Sequence, residues 1–447
     1  MLHKYLISGA LIINEGKSFI GDVLIENGMI VAIAAGSIAK PDDALLIDAT
    51  GKYLLPGVID DQVHFRDPGL TCKADIYTES RAAVAGGVTS YMDMPNTVPN
   101  TLTQELLEEK YTDASRKSLA NYSFYMGASN NNLEEVLKTN PSKVCGIKVF
   151  MGASTGNMLV DDPITLEHIF SLAPALVAVH CEDEPTISKN LFVYRQRYND
   201  DIPVQMHPLI RSREACLKSS TLAVKLAKKY GTRLHLLHLS TVDEMSLLSD
   251  APASVEKQIT AEVCVHHLWF SDEDYSTLGN SIKWNPAIKT VNDRAALIMA
   301  LKENKIDVIA TDHAPHTIEE KKRPYINCPS GGPLVQHSLT AMLEKVHQGV
   351  FTLEMVVEKM CHAPARIFGV DRRGFIRPGY HADLVLVDPD APWQVKKDNI
   401  LYKCGWSPFE GITFKSQITH TFVGGHLAWH EGSFDESQLG ARLIFNH

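Results

Sequence analysis

The chain has 447 residues, 45% hydrophobic and 21% charged, the composition of a globular protein with ample length for a large core. Its formal net charge is −10 and its basic residues form no block, which argues against a nucleic-acid surface. No apolar run approaches the ~20 residues needed to cross a bilayer.

The eight cysteines are scattered with no C-x-x-C pair, as expected of buried free thiols in a reducing cytosol. The N-terminal stretch "MLHKYLISGALIINEG" carries an acidic residue soon after a short apolar run and no cleavage-like site, so a cytoplasmic protein is expected.

Taken in chain order, residues 1–54 are short β-like runs punctuated by Gly and Asn, such as "YLISGALII" and "SFIGDVLIENGMIVAIA", and read as hairpins. From Val58 to about Pro364 strand-like segments alternate with amphipathic helical ones. The strand candidates are "GVIDDQVHF", "VTSYMDMP", "YSFYMGAS", "VCGIKVFM", "ALVAVHCED", "RLHLLHLS", "QITAEVC" and "DVIATDHA". Helix-period runs such as "TQELLEEKYTDASRK", "REACLKSSTLAVKLAKKYG" and "NDRAALIMALKENK" lie between several of them. Such alternation implies a parallel sheet. Eight strands imply an α/β fold of the (β/α)8 TIM-barrel type, with its chemistry at the C-terminal strand ends. The β-like texture returns in "GFIRPGYHADLVLVD" and "ITHTFVGGHLAWHEG". The expected organisation is a barrel over residues 55–368, with residues 1–54 and 369–447 forming one small composite β-sandwich domain.

Polar residues fall at telling places on those strands. His64 ends the first, Lys148 lies in the fourth, His180 ends the fifth, His238 the sixth and Asp312 the eighth. A lone histidine on an apolar strand is ordinarily a hydrogen-bonded core residue, and a lone Asp312 is explained by helix capping. Five such residues at one end of a barrel are not explained that way. Imidazole and carboxylate are zinc ligands. Lys148 is the misfit, because an ammonium is repelled by a cation. The charges balance only if that lysine becomes an anion.

The segments "PGVIDDQVHFRDPG", "MDMPNT", "GIKVFMGAST", "AVHCEDE", "HLLHLST", "AEVCVHHL", "KWNPAIK", "ATDHAPH" and "RPGYHADLVLVD" occur in this order over most of the chain. In them the chain resembles the amidohydrolase superfamily and, within it, dihydroorotases of the multimeric bacterial type. Several pieces also occur in hydantoinases and allantoinases. The resemblance implies two Zn2+ ions bridged by Lys148 after reaction with CO2, that is, an N6-carboxylysine. It assigns His180 and His238 to the second zinc, and His64 and Asp312 to the first. Gln62 stands where a histidine is expected two residues before His64. On a strand, positions 62 and 64 share a face, but a neutral amide oxygen is a poorer zinc donor than imidazole. The expectation is a weakened first site with Gln62 a weak or absent ligand; a single-metal enzyme is the alternative. His235, His266 and His267 are read as structural or supporting residues.

The implied reaction is attack of metal-bound hydroxide on a cyclic amide, with Asp312 shuttling the proton. This interconverts N-carbamoyl-L-aspartate and L-dihydroorotate in pyrimidine biosynthesis. Arg66, Asn96, Asn285 and His316 are the expected substrate contacts. Backbone near Gly332 and Pro333 joins them, in the long loop after His316. Arg211 and Arg213 are read as solvating a helix start. The expected partner is a small-molecule substrate, with no nucleic acid and no membrane, and a homo-oligomer is allowed. Two rivals stay open: a dihydropyrimidinase, hydantoinase or allantoinase, and a catalytically inactive dihydroorotase-like partner protein, for which Gln62 is the only support.

Overall fold

The computed structural model describes residues 3–152 and 158–446, so the end of "GIKVFMGAST" lies outside the described residues. Eight strand positions build the barrel: Val58–Val63, Val88–Asp93, Asn121–Phe124 continued by Met126–Gly127, Ile147–Phe150, Val177–His180, Leu234–Leu236, Ile259–Cys264 and Val308–Ala310. Each pairs in parallel with the next. The third strand is interrupted at Tyr125, its first part pairing back and its second part forward. The ring closes where Val63 bridges His313, where His64 N donates to His313 O (2.7 Å), and where Thr311 Oγ1 donates to Asp60 Oδ2 (2.6 Å). Every residue of these strands except Ile259 is buried, because both faces are covered.

Beneath the barrel mouth lies a charged layer. His235, Asp61 and Glu262 are fully buried, with His235 Nε2 3.1 Å from Asp61 Oδ2 and 3.5 Å from Glu262 Oε2. Burial opposes a charge on His235, but hydrogen bonding to the two carboxylates outweighs it and raises the imidazole to about 9. Burial and the neighbouring Asp61 push the Glu262 carboxyl up to about 8, so the ring's charge is balanced chiefly by Asp61.

Both ends of the chain enter one nine-stranded sheet. Within it Tyr53–Pro56 runs parallel to Lys4–Asn14 and antiparallel to Leu384–Asp388, with Leu54 opposite Leu386. Ile7, Ile12, Val23, Ile25, Leu384 and Phe422 give this sheet its own apolar core. Gly57 is the hinge between the sheet and the first barrel strand. A Cβ there would lie 2.1 Å from Thr89 Oγ1 on the second barrel strand, so only glycine lets the chain entering the first strand pass this close to the second. No helix among the described residues is long and apolar enough to cross a membrane.

Candidate active site

A cavity of about 380 Å3 opens at the C-terminal ends of the barrel strands. His64, Lys148, His180, His238, Asp312 and Gln62 all line it. So do Arg66, Asn96, Asn285 and His316. Three of these residues, Arg66 (φ 66°), His238 (φ 41°) and Asp312 (φ 46°), adopt left-handed backbone. Such strain of about 1–2 kcal/mol per residue concentrates where structure holds a side chain at a working position.

One corner is built from the fifth and sixth strands. His180 Nδ1 and His238 Nε2 face each other at 2.9 Å. Burial, above all, holds both imidazoles below their ordinary range, so both are neutral and able to ligate. His238 Nδ1 is a buried nitrogen without a hydrogen bond. The backbone N–H of His238 donates to Glu262 Oε1 (2.9 Å), tying this corner to the charged layer below. His180 Nε2 lies 3.1 Å from Glu182 Oε2, and Glu182 also pairs with Arg211. Burial pushes the Glu182 carboxyl up, but Arg211 and His180 bring it down to about 2, so it is ionised. Local sequence fixes the turn that follows. Asp183 caps the helix Glu184–Tyr198 by accepting from Thr186 N, with a proline in its first turn.

Lys148 lies between the corners, 1% exposed, its Nζ 4.5 Å from the centre of the Phe150 ring. Burial pulls its amine down to about 7. A large part of it is therefore an uncharged nucleophile at neutral pH, the form that reacts with CO2.

The other corner is bonded to itself. His64 Nδ1–H donates to Asn96 Oδ1 (2.8 Å), which leaves Nε2 facing Asp312 Oδ1 at 3.1 Å. Gln62 Nε2 donates to the same Asp312 oxygen (3.3 Å), while its Oε1 faces Cys264 Sγ at 3.8 Å. Gln62 thus presents a donor to Asp312. The donors of the two corners together, three imidazoles, a carboxylate and a near-neutral amine, fit divalent cations.

At the far end, Arg66 Nε donates to Pro315 O (3.1 Å). Burial pulls its guanidinium down to about 10, where it is still a cation. His316 Nε2 has a donor beside it as well as an acceptor, since Arg66 Nη2 lies 3.1 Å away. The Ser330 carbonyl can only accept, at 3.0 Å from Nε2, and Lys73 Nζ can only donate, at 3.1 Å from Nδ1. Burial and the neighbouring Arg66 hold this ring down to about 3, so it is neutral. Asn285 contributes a buried Oδ1 without a hydrogen bond.

Family models match in two places: Amidohydrolase family over residues 217–428 and Dihydro-orotase-like over residues 51–151. The dihydroorotase of Pyrococcus furiosus is 32% identical over 441 residues, covering 99% of this chain and 96% of the relative. The chain belongs to the amidohydrolase family, among its dihydroorotases. The dihydroorotase of Methanosarcina acetivorans is 31% identical over 425 residues, covering 93% of this chain and 89% of that one. Among solved structures, the L-hydantoinase (dihydropyrimidinase) of Arthrobacter aurescens superposes with a TM-score of 0.91 at 25% identity, covering 97% of this chain and 98% of its own. The dihydropyrimidinase of Brevibacillus agri gives 0.85 at 25% identity, with 96% of each chain covered. The protein is a hydrolase acting on cyclic amides.

Some residues stand elsewhere than the sequence suggested. Gly332 and Pro333 are not in the lining; Pro329, Ser330 and Gly331 take that place. Gly332 instead packs under two tryptophans, where a Cβ would meet the Trp284 ring at 2.6 Å. Arg211 does not solvate a helix start but lines the pocket beside Glu182. Arg213 does stay outside, paired with Asp243 and Asp293. Lys73 and Phe150 line the cavity without having been singled out. His266 and His267 do not line it; His266 stacks on Trp284 at 4.4 Å.

Proposed function

We propose that the chain is a zinc-dependent dihydroorotase, interconverting N-carbamoyl-L-aspartate and L-dihydroorotate in pyrimidine biosynthesis. One observation carries the reading: a single cavity joins a cationic end at Arg66 to a metal-type corner at His180 and His238. That pairing suits a ring with a carboxylate at one side and a scissile amide at the other. Arg66 offers a planar fork for the carboxylate, with the Asn96 amide and His316 beside it. Zinc, when bound, acidifies its water and polarises the amide carbonyl.

The rest of the chemistry belongs to the chain. The Lys148 nitrogen attacks CO2 and loses a proton, giving the carbamate anion that a pair of cations requires. His180 and His238 would hold one cation together with that anion. His64 and Asp312 would hold the other, with Gln62 contributing a hydrogen bond to Asp312 instead of a ligand oxygen. Asp312 Oδ1, fixed between His64 and Gln62, takes a proton from the attacking water and returns it to the leaving ring nitrogen.

The hydantoinase-like superposition supports the shared fold, and the carboxylate end separates the substrates. An activity panel with dihydroorotate, dihydrouracil and allantoin, accompanied by metal analysis, tests the proposal. Turnover of dihydroorotate and carbamoyl aspartate is the expected result. Turnover of the other two alone overturns it.

A further inference from the structure

We propose that Cys264, His266 and His267, where the seventh barrel strand passes into the short helix Val265–Trp269, form a further metal site behind the Gln62 corner, one that takes a thiophilic cation such as Zn2+. It is distinct from the two catalytic positions, whose proposed ligands carry no sulfur, and it does not depend on the dihydroorotase reading.

One nitrogen of each histidine and Cys264 Sγ lie within 4.8 Å of one another. All three side chains are buried. The bonding around them is incomplete: both His266 nitrogens and His267 Nδ1 are buried without a hydrogen bond among the described residues. His267 Nε2 faces the Pro286 carbonyl at 3.2 Å. A carbonyl only accepts, so Nε2 carries the hydrogen and Nδ1 keeps its lone pair. His266 stacks on Trp284, the ring centres 4.4 Å apart and the planes 16° from parallel. Stacking occupies the faces of the ring and leaves the nitrogens at its edge unanswered. The Thr311 backbone carbonyl is the acceptor open to one of them, which leaves the other with a lone pair. Buried polar atoms ordinarily have partners, and several unpartnered ones side by side point to a ligand they share.

The donor set chooses the ion. A thiolate with two imidazoles suits zinc, whereas magnesium and calcium prefer oxygen. Zinc bonds of about 2.0–2.3 Å ask the three donors to close by about 1 Å, within the range of side-chain torsion. Cys264 Sγ now has only weak neighbours, Gln62 Oε1 at 3.8 Å and Glu262 Oε1 at 3.9 Å. As the metal–sulfur bond forms, the S–H bond breaks and its proton leaves to solvent. Gln62 also lines the cavity, so a single side chain stands between the open mouth and the sulfur.

Cobalt reports this site separately from the catalytic ones, because sulfur-to-cobalt charge-transfer absorption requires a thiolate. The full-length protein, kept reduced, is stripped with a chelator and titrated with Co2+. The expected result is a charge-transfer band in the parent, with no such band and one fewer equivalent of bound cobalt in Cys264→Ser. A parent without the band, or a variant that keeps it, overturns the proposal. Should Cys264→Ser not fold, His267→Gln decides, since its amide can still donate to Pro286 but ligates poorly. Its band should need at least about tenfold more Co2+, the lower bound for losing even a supporting contact of a metal site; affinity within twofold of the parent overturns the proposal. A parent that shows the band but binds no metal beyond that one equivalent overturns the catalytic metal reading and leaves this site standing.

Discussion

The two corners of the cavity carry similar side chains and treat them differently. At the His180 corner, two neutral imidazoles face each other at 2.9 Å and His238 Nδ1 has no hydrogen bond. At the Gln62 corner, His64 donates to Asn96 and Asp312 receives Gln62. In the first arrangement the facing nitrogens pair with each other, while His238 Nδ1 and His180 Nε2 have no hydrogen bond. In the second, His64 Nδ1 and the Gln62 amide have found partners, and His64 Nε2 is left facing Asp312 Oδ1. A ligand set is therefore defined as much by what its atoms bond to without the ion as by which atoms are present. At position 62 an amide acts as a donor to a neighbouring carboxylate, where an imidazole nitrogen would offer a lone pair to a cation.

The largest expected effect comes from removing what the corners share. Lys148→Ala removes the amine proposed to carry the bridging carbamate, and on that reading zinc content and turnover should both fall to background; retained zinc at both corners would show that neither needs such a bridge. Next, Asp312→Asn removes the proton carrier. It should lower kcat by about 10²–10⁴-fold while the melting temperature stays close to the parent's.

A subtler change tests the asymmetry directly. Gln62→His should convert the weaker corner into a tight one, so that dialysed protein retains two zinc ions where the parent retains one. Equal retention by the two proteins would remove the distinction between the corners.

The smallest effect lies in the layer beneath both. His235 is raised from its ordinary 6.5 to about 9 in the folded protein. A raised value means that its contribution to stability is complete below about pH 6.5 and is lost as the pH climbs through 9. Thermal melts across that range should show a decline, and Asp61→Asn should flatten it.

Much of this was readable from residue patterns. All eight barrel strands begin within three residues of the segments named from hydrophobicity and spacing, and the observed strands are shorter. The excess lies mostly at their C-terminal ends, because residues such as His64 and Asp312 continue the strand's texture while leaving its hydrogen bonding. The same strand ends placed His180, His238 and Lys148 around the cavity. Arg211 could not be placed this way. A local reading of "LIRSREA" sees charged residues opening a helix, and only the packing of that helix against the loop at Glu182 turns one arginine inward. Lys73 escaped notice for the same reason, since its partners His316 and Glu320 are more than two hundred residues away. Glu182 did offer a signal, an acidic residue two positions past a candidate ligand.

The nine-stranded sheet has a temporal meaning as well. Its strand Tyr53–Pro56 is synthesised well ahead of the neighbour with which it pairs, Leu384–Asp388. Gly57 joins that strand directly to Val58–Val63, which carries Gln62 and leads into His64, so this side of the cavity stays without its brace until Leu384–Asp388 has been made. A prematurely terminated chain would carry nearly every chemical group the reaction uses and still lack the clasp that seats the first of them.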